Sequence, residues 1–154
     1  MTRAESPEWR REGFTISTDR DRLDRPLIHE FLCASYWAKG IPRETVDRSI
    51  EGALCFGLYD GDRQVGFARV ITDRATFAYL ADVFVLESHR GQGLAAWLME
   101  SILAHPDLQG LRRWMLLTRD AHPLYRKVGY TALARPERVM ERVDSAVYGK
   151  KSRP

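Results

Sequence analysis

The chain has 154 residues, the length of one ordinary domain with nothing left for a second. Its apolar fraction of 44% and aromatic fraction of 10% supply a packed core, which excludes a disordered chain and a miniprotein dependent on staples. Lysine and arginine exceed aspartate and glutamate by 24 − 21 = 3, too mild a surplus to mark a nucleic-acid binder, whose cations must gather on one face.

Residues 1–13, MTRAESPEWRREG, are charged, contain Pro7 and lack the apolar stretch of a secretory signal. They are expected to be flexible, as is the tail 149–154. Alternation at Phe14 and Ile16 predicts a short strand. Asp24 caps a helix whose first position is Pro26, with Leu27, Ile28, Phe31, Leu32, Ser35 and Tyr36 at helical spacing and Gly40 at its end. Pro42 opens a second helix over 43–52, closed by Gly52.

A hairpin follows, strands 54–59 and 64–72 around Asp60-Gly61-Asp62-Arg63, and a third strand over 76–86 completes an antiparallel meander. Leu94, Trp97, Leu98, Ser101 and Ile102 recur at helical spacing before Pro106 stops the run. The remaining elements are a strand over 113–118, a helix over 123–128 ended by Gly129, and strand candidates at 130–133 and 139–143. Late alternation of helix and strand after an early meander implies a mixed α/β domain. Cys33 and Cys55 stand alone, without CxxC or Cys/His clustering, so neither zinc nor a disulfide framework is expected. No apolar run reaches about 18 residues. The chain reads as one cytoplasmic domain with no metal, nucleic-acid or membrane partner.

The densest chemical signal is Arg90-Gly91-Gln92-Gly93-Leu94-Ala95-Ala96, where a strand runs into a turn and a helix leaves at once. The first N–H groups of a helix lack partners, and its dipole is positive there. Glycines let phosphates approach that backbone, so the turn reads as a pyrophosphate cradle. A dinucleotide fingerprint, G-x-G-x-x-A with Asp120 after the next strand, is the competing pattern. Against it, four residues separate Leu86 from Gly91, the preceding strands form a hairpin, and only 34 residues follow Asp120.

The turn resembles the R/Q-x-x-G-x-G/A motif of the GNAT superfamily of acyl-CoA-dependent N-acetyltransferases, and Leu124-Tyr125-Arg126-Lys127-Val128-Gly129-Tyr130 resembles that family's later tyrosine helix. The likeness runs over about residues 54–131 and is loose in the first 50. It implies a mixed, mostly antiparallel central sheet of about six to seven strands, flanked by about four helices. It also implies acetyl-CoA as cosubstrate, its pantetheine arm on the backbone of Val83, Phe84 and Val85, and its pyrophosphate on Arg90, Gly91, Gln92, Gly93, Leu94, Ala95 and Ala96. Many members carry an asparagine after the next strand; here the segment is Thr118-Arg119-Asp120-Ala121-His122.

Transfer to an amine needs a neutral nucleophile, and an alkyl amine of pKa about 10.4 is neutral in only about one molecule in 2,500 at pH 7. Asp82, a carboxylate in an apolar strand, is the candidate base, or else a structural carboxylate bonded to a basic side chain. Tyr125 is the candidate acid for the leaving thiolate, against a core tyrosine as the plainer reading. A backbone N–H near Phe84 is the candidate oxyanion donor. Tyr36 and Trp37 line the acceptor pocket or pack in the core. Among the histidines, His29 packs, His89 approaches a phosphate, His105 sits at a helix end, and His122, beside the Tyr125 helix, is the one with a catalytic reading. Glu87 reads as a solvated loop acid. The acceptor is a small-molecule, peptide or protein amine, and the late strands offer a homodimer contact. A non-catalytic acyl-CoA-binding regulatory domain is the alternative.

Overall fold

The architecture follows from three apolar strands that cannot be covered on one side only. In the computed structural model, which describes residues 6–149, the strands are β1 (Glu8–Arg11), β2 (Phe14–Ser17), β3 (Leu54–Asp60), β4 (Arg63–Thr72), β5 (Phe77–Val85) and β6 (Arg113–Leu116). They form one sheet in chain order, antiparallel except for the β5–β6 pair. Four helices complete it: α1 (Arg25–Ala34), α2 (Arg43–Glu51), α3 (Leu94–Leu103) and α4 (His122–Arg126).

β3 is buried from Leu54 to Tyr59 without a break, the signature of a strand with both faces covered. Phe56 and Leu58 pack with Trp97, Leu98 and Ile102 of α3 on one face. Cys55 and Phe67 pack with Ile28 and Leu32 of α1 and with Val46 and Ile50 of α2 on the other. Each such buried aliphatic side chain contributes about 2 kcal/mol. Asp24 accepts from Leu27 N at 3.1 Å and so caps α1 as its position suggests. The buried Gln64 accepts from Asp24 N at 2.7 Å, tying the helix start to β4.

Three expectations are corrected. Residues 8–11 of the lead-in are a strand, with Glu8 opposite Ser17 and Trp9 against Phe56 and His105; residues 1–5 lie outside the described residues, as do 150–154 of the tail. Charge hid β1, because an edge strand keeps one side in water. The first helix ends at Ala34 rather than near Gly40, since Ser35 Oγ donates to Leu32 O at 2.6 Å and turns the chain. Segments 130–133 and 139–143 are not strands; Tyr130 packs against the core and donates to Tyr125 O at 3.1 Å, and beyond it the chain runs exposed through the short helical turn Pro136–Arg138. Among the described residues the sheet therefore has six strands.

Candidate active site

The β5–β6 ladder covers only Phe77 to Leu80 opposite Arg113 to Leu116. Beyond it the two strands part, and residues 81–85 continue along β4 alone. Leu86 N donates to Val65 O at 2.8 Å, and ladder alternation turns Phe84 toward β4 as well. Val85 then faces the opening, where its carbonyl accepts from Arg90 Nε at 2.9 Å. Near Phe84, where the oxyanion donor is expected, Val85 is therefore the residue whose backbone faces the gap. The Phe84 ring is buried and stacks on Phe31 at 3.9 Å, fixing this part of β5 against α1.

After β5 a helical turn over Glu87–His89 leads into the glycines. Gly91 and Gly93 take φ of +80° and +77°, conformations that L side chains resist, and nothing lies within 4 Å of where a Cβ would sit. Gly93 caps α3 without a side-chain hydrogen bond, so the first helical N–H groups face outward. Both features fit a phosphate group resting on the backbone. Gln92 Nε2 donates to His89 O at 3.2 Å and Arg90 to Val85, so both side chains brace the turn.

Asp82 sits where β5 gains a residue against β4, between the Phe67–Phe84 and Arg69–Ala81 pairs. Its φ is +55°, a bulge conformation that aspartate tolerates. Arg69 Nε donates to one carboxylate oxygen at 2.8 Å and Trp37 Nε1 to the other at 3.0 Å. The Arg69 and Asp82 side chains are 16% and 9% exposed, a pair largely withdrawn from water. Arg69 was not singled out in the sequence, although a cation inside apolar β4 opposite an anion inside apolar β5 was a readable signal.

Around Asp82 a cleft of about 610 Å³ is lined by Tyr36, Trp37, Val83 and Tyr125 among others. Tyr36 and Trp37 are 48% and 41% exposed, so they line this opening instead of packing in the core. Tyr36 Oη accepts from Arg119 N at 3.1 Å, and the Arg119 guanidinium lies 3.9 Å over its ring. The segment after α1 thereby touches the loop between β6 and α4, 83 residues away. Tyr125 is buried on α4, and burial pushes its phenol up to about 12, with Tyr36 and Asp120 adding to the rise. Its hydroxyl has no hydrogen-bond partner among the described residues and stays protonated at neutral pH. Tyr79 and Tyr148 also line the cleft; they carry no motif and went unnoticed in the sequence.

The histidines separate cleanly. His29 Nε2 meets Ile41 O at 3.0 Å, and His89 Nε2 meets Asp60 Oδ2 at 3.0 Å, which holds it to the β3–β4 turn. His105 is buried beside Phe56, its Nδ1 accepting from Asp107 N at 3.0 Å, and burial lowers its pKa. His122 opens α4 and lines a smaller cavity of about 220 Å³ with Trp114 and Tyr130. Glu87 is exposed. Thr118, where many acetyltransferases of the resembled family have their asparagine nearby, accepts from Ala121 N at 3.0 Å and shapes the turn into α4. No cluster of three or more metal-ligating side chains occurs among the described residues. None of their helices is long and apolar enough to cross a membrane.

A family model described as an acetyltransferase (GNAT) domain matches residues 51–132, just over half of the chain. A Gibberella zeae protein classed as an acetyltransferase is 33% identical over 142 residues, covering 77% of this chain and 79% of its own length. A crystal structure from Xanthomonas campestris pv. campestris, assigned to the acetyltransferases of the gnat family, is 51% identical with a TM-score of 0.87, covering 90% of this chain and 99% of that one. A more distant structure from Elizabethkingia anophelis, a GNAT family acetyltransferase with acetyl-CoA bound, shares the fold at 14% identity and a TM-score of 0.61, covering 79% and 78% of the two chains.

Proposed function

The chain belongs to the GNAT acetyltransferase family, and on that premise we propose that it moves an acetyl group from acetyl-CoA directly to a primary amine, with Tyr125 as acid for the leaving thiolate. The observation that carries this reading is the shared cleft. The opening between β5 and β6 holds a protonated, unpartnered tyrosine, and the glycine turn stands at the end of the same β5 strand. In this reading the backbone of Val83, Phe84 and Val85 takes the pantetheine arm. Residues 90–96 take the pyrophosphate, with the open Cβ sides of Gly91 and Gly93 as support. Acetyl-CoA supplies the activated acyl group.

The parts left to the protein follow from the side chains. The Tyr125 hydroxyl can give its proton to a sulfur without any prior ionisation change, because burial keeps the phenol neutral. Asp82 has both oxygens engaged by Arg69 and Trp37, which favours a positioning part over direct proton abstraction. It holds the β5 bulge and sets Trp37 beside the acceptor. The amine then loses its proton to water before it attacks, with Tyr36 and Trp37 as the aromatic wall beside it. A small-molecule, peptide or protein amine fits this opening equally, and the cysteines, both free, support a reducing cytoplasmic setting. Homodimerisation belongs to the same reading.

The test is acetyl-CoA with a broad panel of primary amines, followed as free thiol. Amine-dependent thiol release at neutral pH is expected. Donor binding without thiol release across the panel would leave a non-catalytic acyl-CoA-binding domain in its place. Thermal stabilisation by NAD and not by CoA would remove the donor assignment itself.

A further inference from the structure

The cleft around Asp82 contains a guanidinium that is only partly used. Phe67, Arg69 and Ile71 alternate on one face of β4. Phe67 is buried in the cluster formed with α1 and α2, whereas Ile71 is 42% exposed, so Arg69 stands where the helical cover ends. A guanidinium carries five N–H donors in a rigid fork. Arg69 spends Nε on Asp82 Oδ2 at 2.8 Å, and its remaining donors, on Nη1 and Nη2, meet no acceptor among the described residues. The side chain is largely withdrawn from water, yet neither Nη is sealed inside the protein, because Arg69 lines the cleft. Donors so placed favour a ligand that accepts from them.

Asp82 cancels the charge of Arg69 but not these donors, and its own oxygens are already engaged by Arg69 and Trp37. The other two charges of the cleft, Arg119 and Asp120, are exposed and lie 3.8 Å from one another. Tyr79 stands opposite Ile71 on the same face as Arg69 and adds an aromatic wall to those of Tyr36 and Trp37. We propose that the Nη fork of Arg69 receives a carboxylate carried by the amine acceptor itself, which makes the acceptor a free amino acid with an apolar or aromatic body. This rests on the acetyl-transfer reading above and narrows its acceptor. Parallel N–H donors match the two oxygens of a carboxylate, and a plain amine or a peptide terminus brings no such group to the fork. The donor's pyrophosphate does not compete for it. Arg69 pairs opposite Ala81, and four residues of β5, about 13 Å, separate Ala81 from Val85, beyond which the glycine turn lies. In the transfer the amine nitrogen bonds to the acetyl carbon, the C–S bond breaks, the thiol leaves with a proton, and the carboxylate is unchanged.

The test compares matched amines with acetyl-CoA on the parent and on Arg69→Lys, which keeps a cation beside Asp82 but removes the fork. Phenylalanine is set against 2-phenylethylamine and phenylalaninamide, and 5-aminopentanoate against pentylamine, with rates corrected for the fraction of neutral amine. In the parent, kcat/KM is expected to favour the carboxylate member of at least one set by about 10- to 100-fold, the worth of hydrogen bonds to a charged group. Arg69→Lys is expected to cut that preference about 10-fold. The readout is a ratio within one protein, so a variant that merely folds less well does not imitate it. 3-Phenylpropanoate, a carboxylate without an amine, reads the site without turnover: calorimetry is expected to show binding to the parent and about 10-fold weaker binding to the variant. That result with no thiol release from any amine would remove the transfer reading and leave the carboxylate site standing. Equal use of every matched set by the parent, a preference that Arg69→Lys leaves intact, or succinyl-CoA surpassing acetyl-CoA as donor to the plain amines (a carboxylate brought on the acyl group instead) would each overturn the proposal.

Discussion

Replacing Arg69 with methionine tests how the centre of the cleft is held. The substitution keeps an apolar stem of similar length in β4 and removes only the guanidinium. Asp82, with its side chain 9% exposed, is then left with the single hydrogen bond from Trp37 Nε1 at 3.0 Å. Breaking a withdrawn ion pair by deleting one partner costs about 3–5 kcal/mol, and the surviving hydrogen bond places this case near 3 kcal/mol. For a chain of this size, each kcal/mol moves the melting temperature by about 2–4 °C, so a fall of about 6–12 °C is expected, with a matching shift in the urea midpoint. Asp82→Asn is the companion. It tolerates the positive φ and still accepts from Trp37, but sets an amide N–H against Arg69 Nε. If Asp82 positions the cleft, both variants lose amine turnover together, chiefly through KM for the amine. A loss of kcat of about 100-fold or more confined to Asp82→Asn would mark a direct base. An Arg69→Met stability within about 1 kcal/mol of the parent would refute the account of a buried pair.

Three further outcomes are expected. Tyr125→Phe lowers kcat by about 100-fold with little change in donor affinity, and because burial holds the phenol up to about 12, the parent rate shows no alkaline loss from this residue below about pH 11; pH profiles of both proteins check it. Gly93→Ala forces an L side chain into φ of +77° with open space around it, a cost of about 1–2 kcal/mol from conformation alone, seen as lower thermal stability together with weaker acetyl-CoA binding in calorimetry. His105 has its pKa lowered in the folded state by burial, so below its ordinary value of about 6.5 the unfolded chain gains a proton that the fold refuses. Stability is full above that value and falls as pH drops toward the lowered one, and His105→Gln flattens this limb in urea titrations across that range.

Local chemistry was legible wherever a residue's role depends on its immediate neighbours. Asp24 as a cap, Gly129 as a helix stop and the β3–β4 hairpin around Gly61 all stand as their spacing implies. The glycine turn was readable for the same reason, because an orphaned helix start and a positive φ are properties of a few consecutive residues. Tyr125 was singled out by motif, but its protonation comes from burial beside Tyr36, which no stretch of chain near residue 125 encodes.

Period-2 patterning says only that a segment could lie on a sheet. Segments 8–11 and 139–143 are both short, charged and interleaved with apolar residues, yet the first is a strand and the second is not. The difference is the ladder: β2 offers residues 8–11 a partner one tight turn away, at Gly13, whereas 139–143 pairs with no strand among the described residues. Asp82 gives the same lesson within the site. Its place in an apolar strand announced either a partner or a raised pKa, since a withdrawn carboxylate cannot stand alone and ionised, and that much was readable from neighbouring residues. Which partner it takes was decided only in three dimensions, by a bulge that turns the carboxylate toward Arg69 thirteen positions away and Trp37 forty-five positions away.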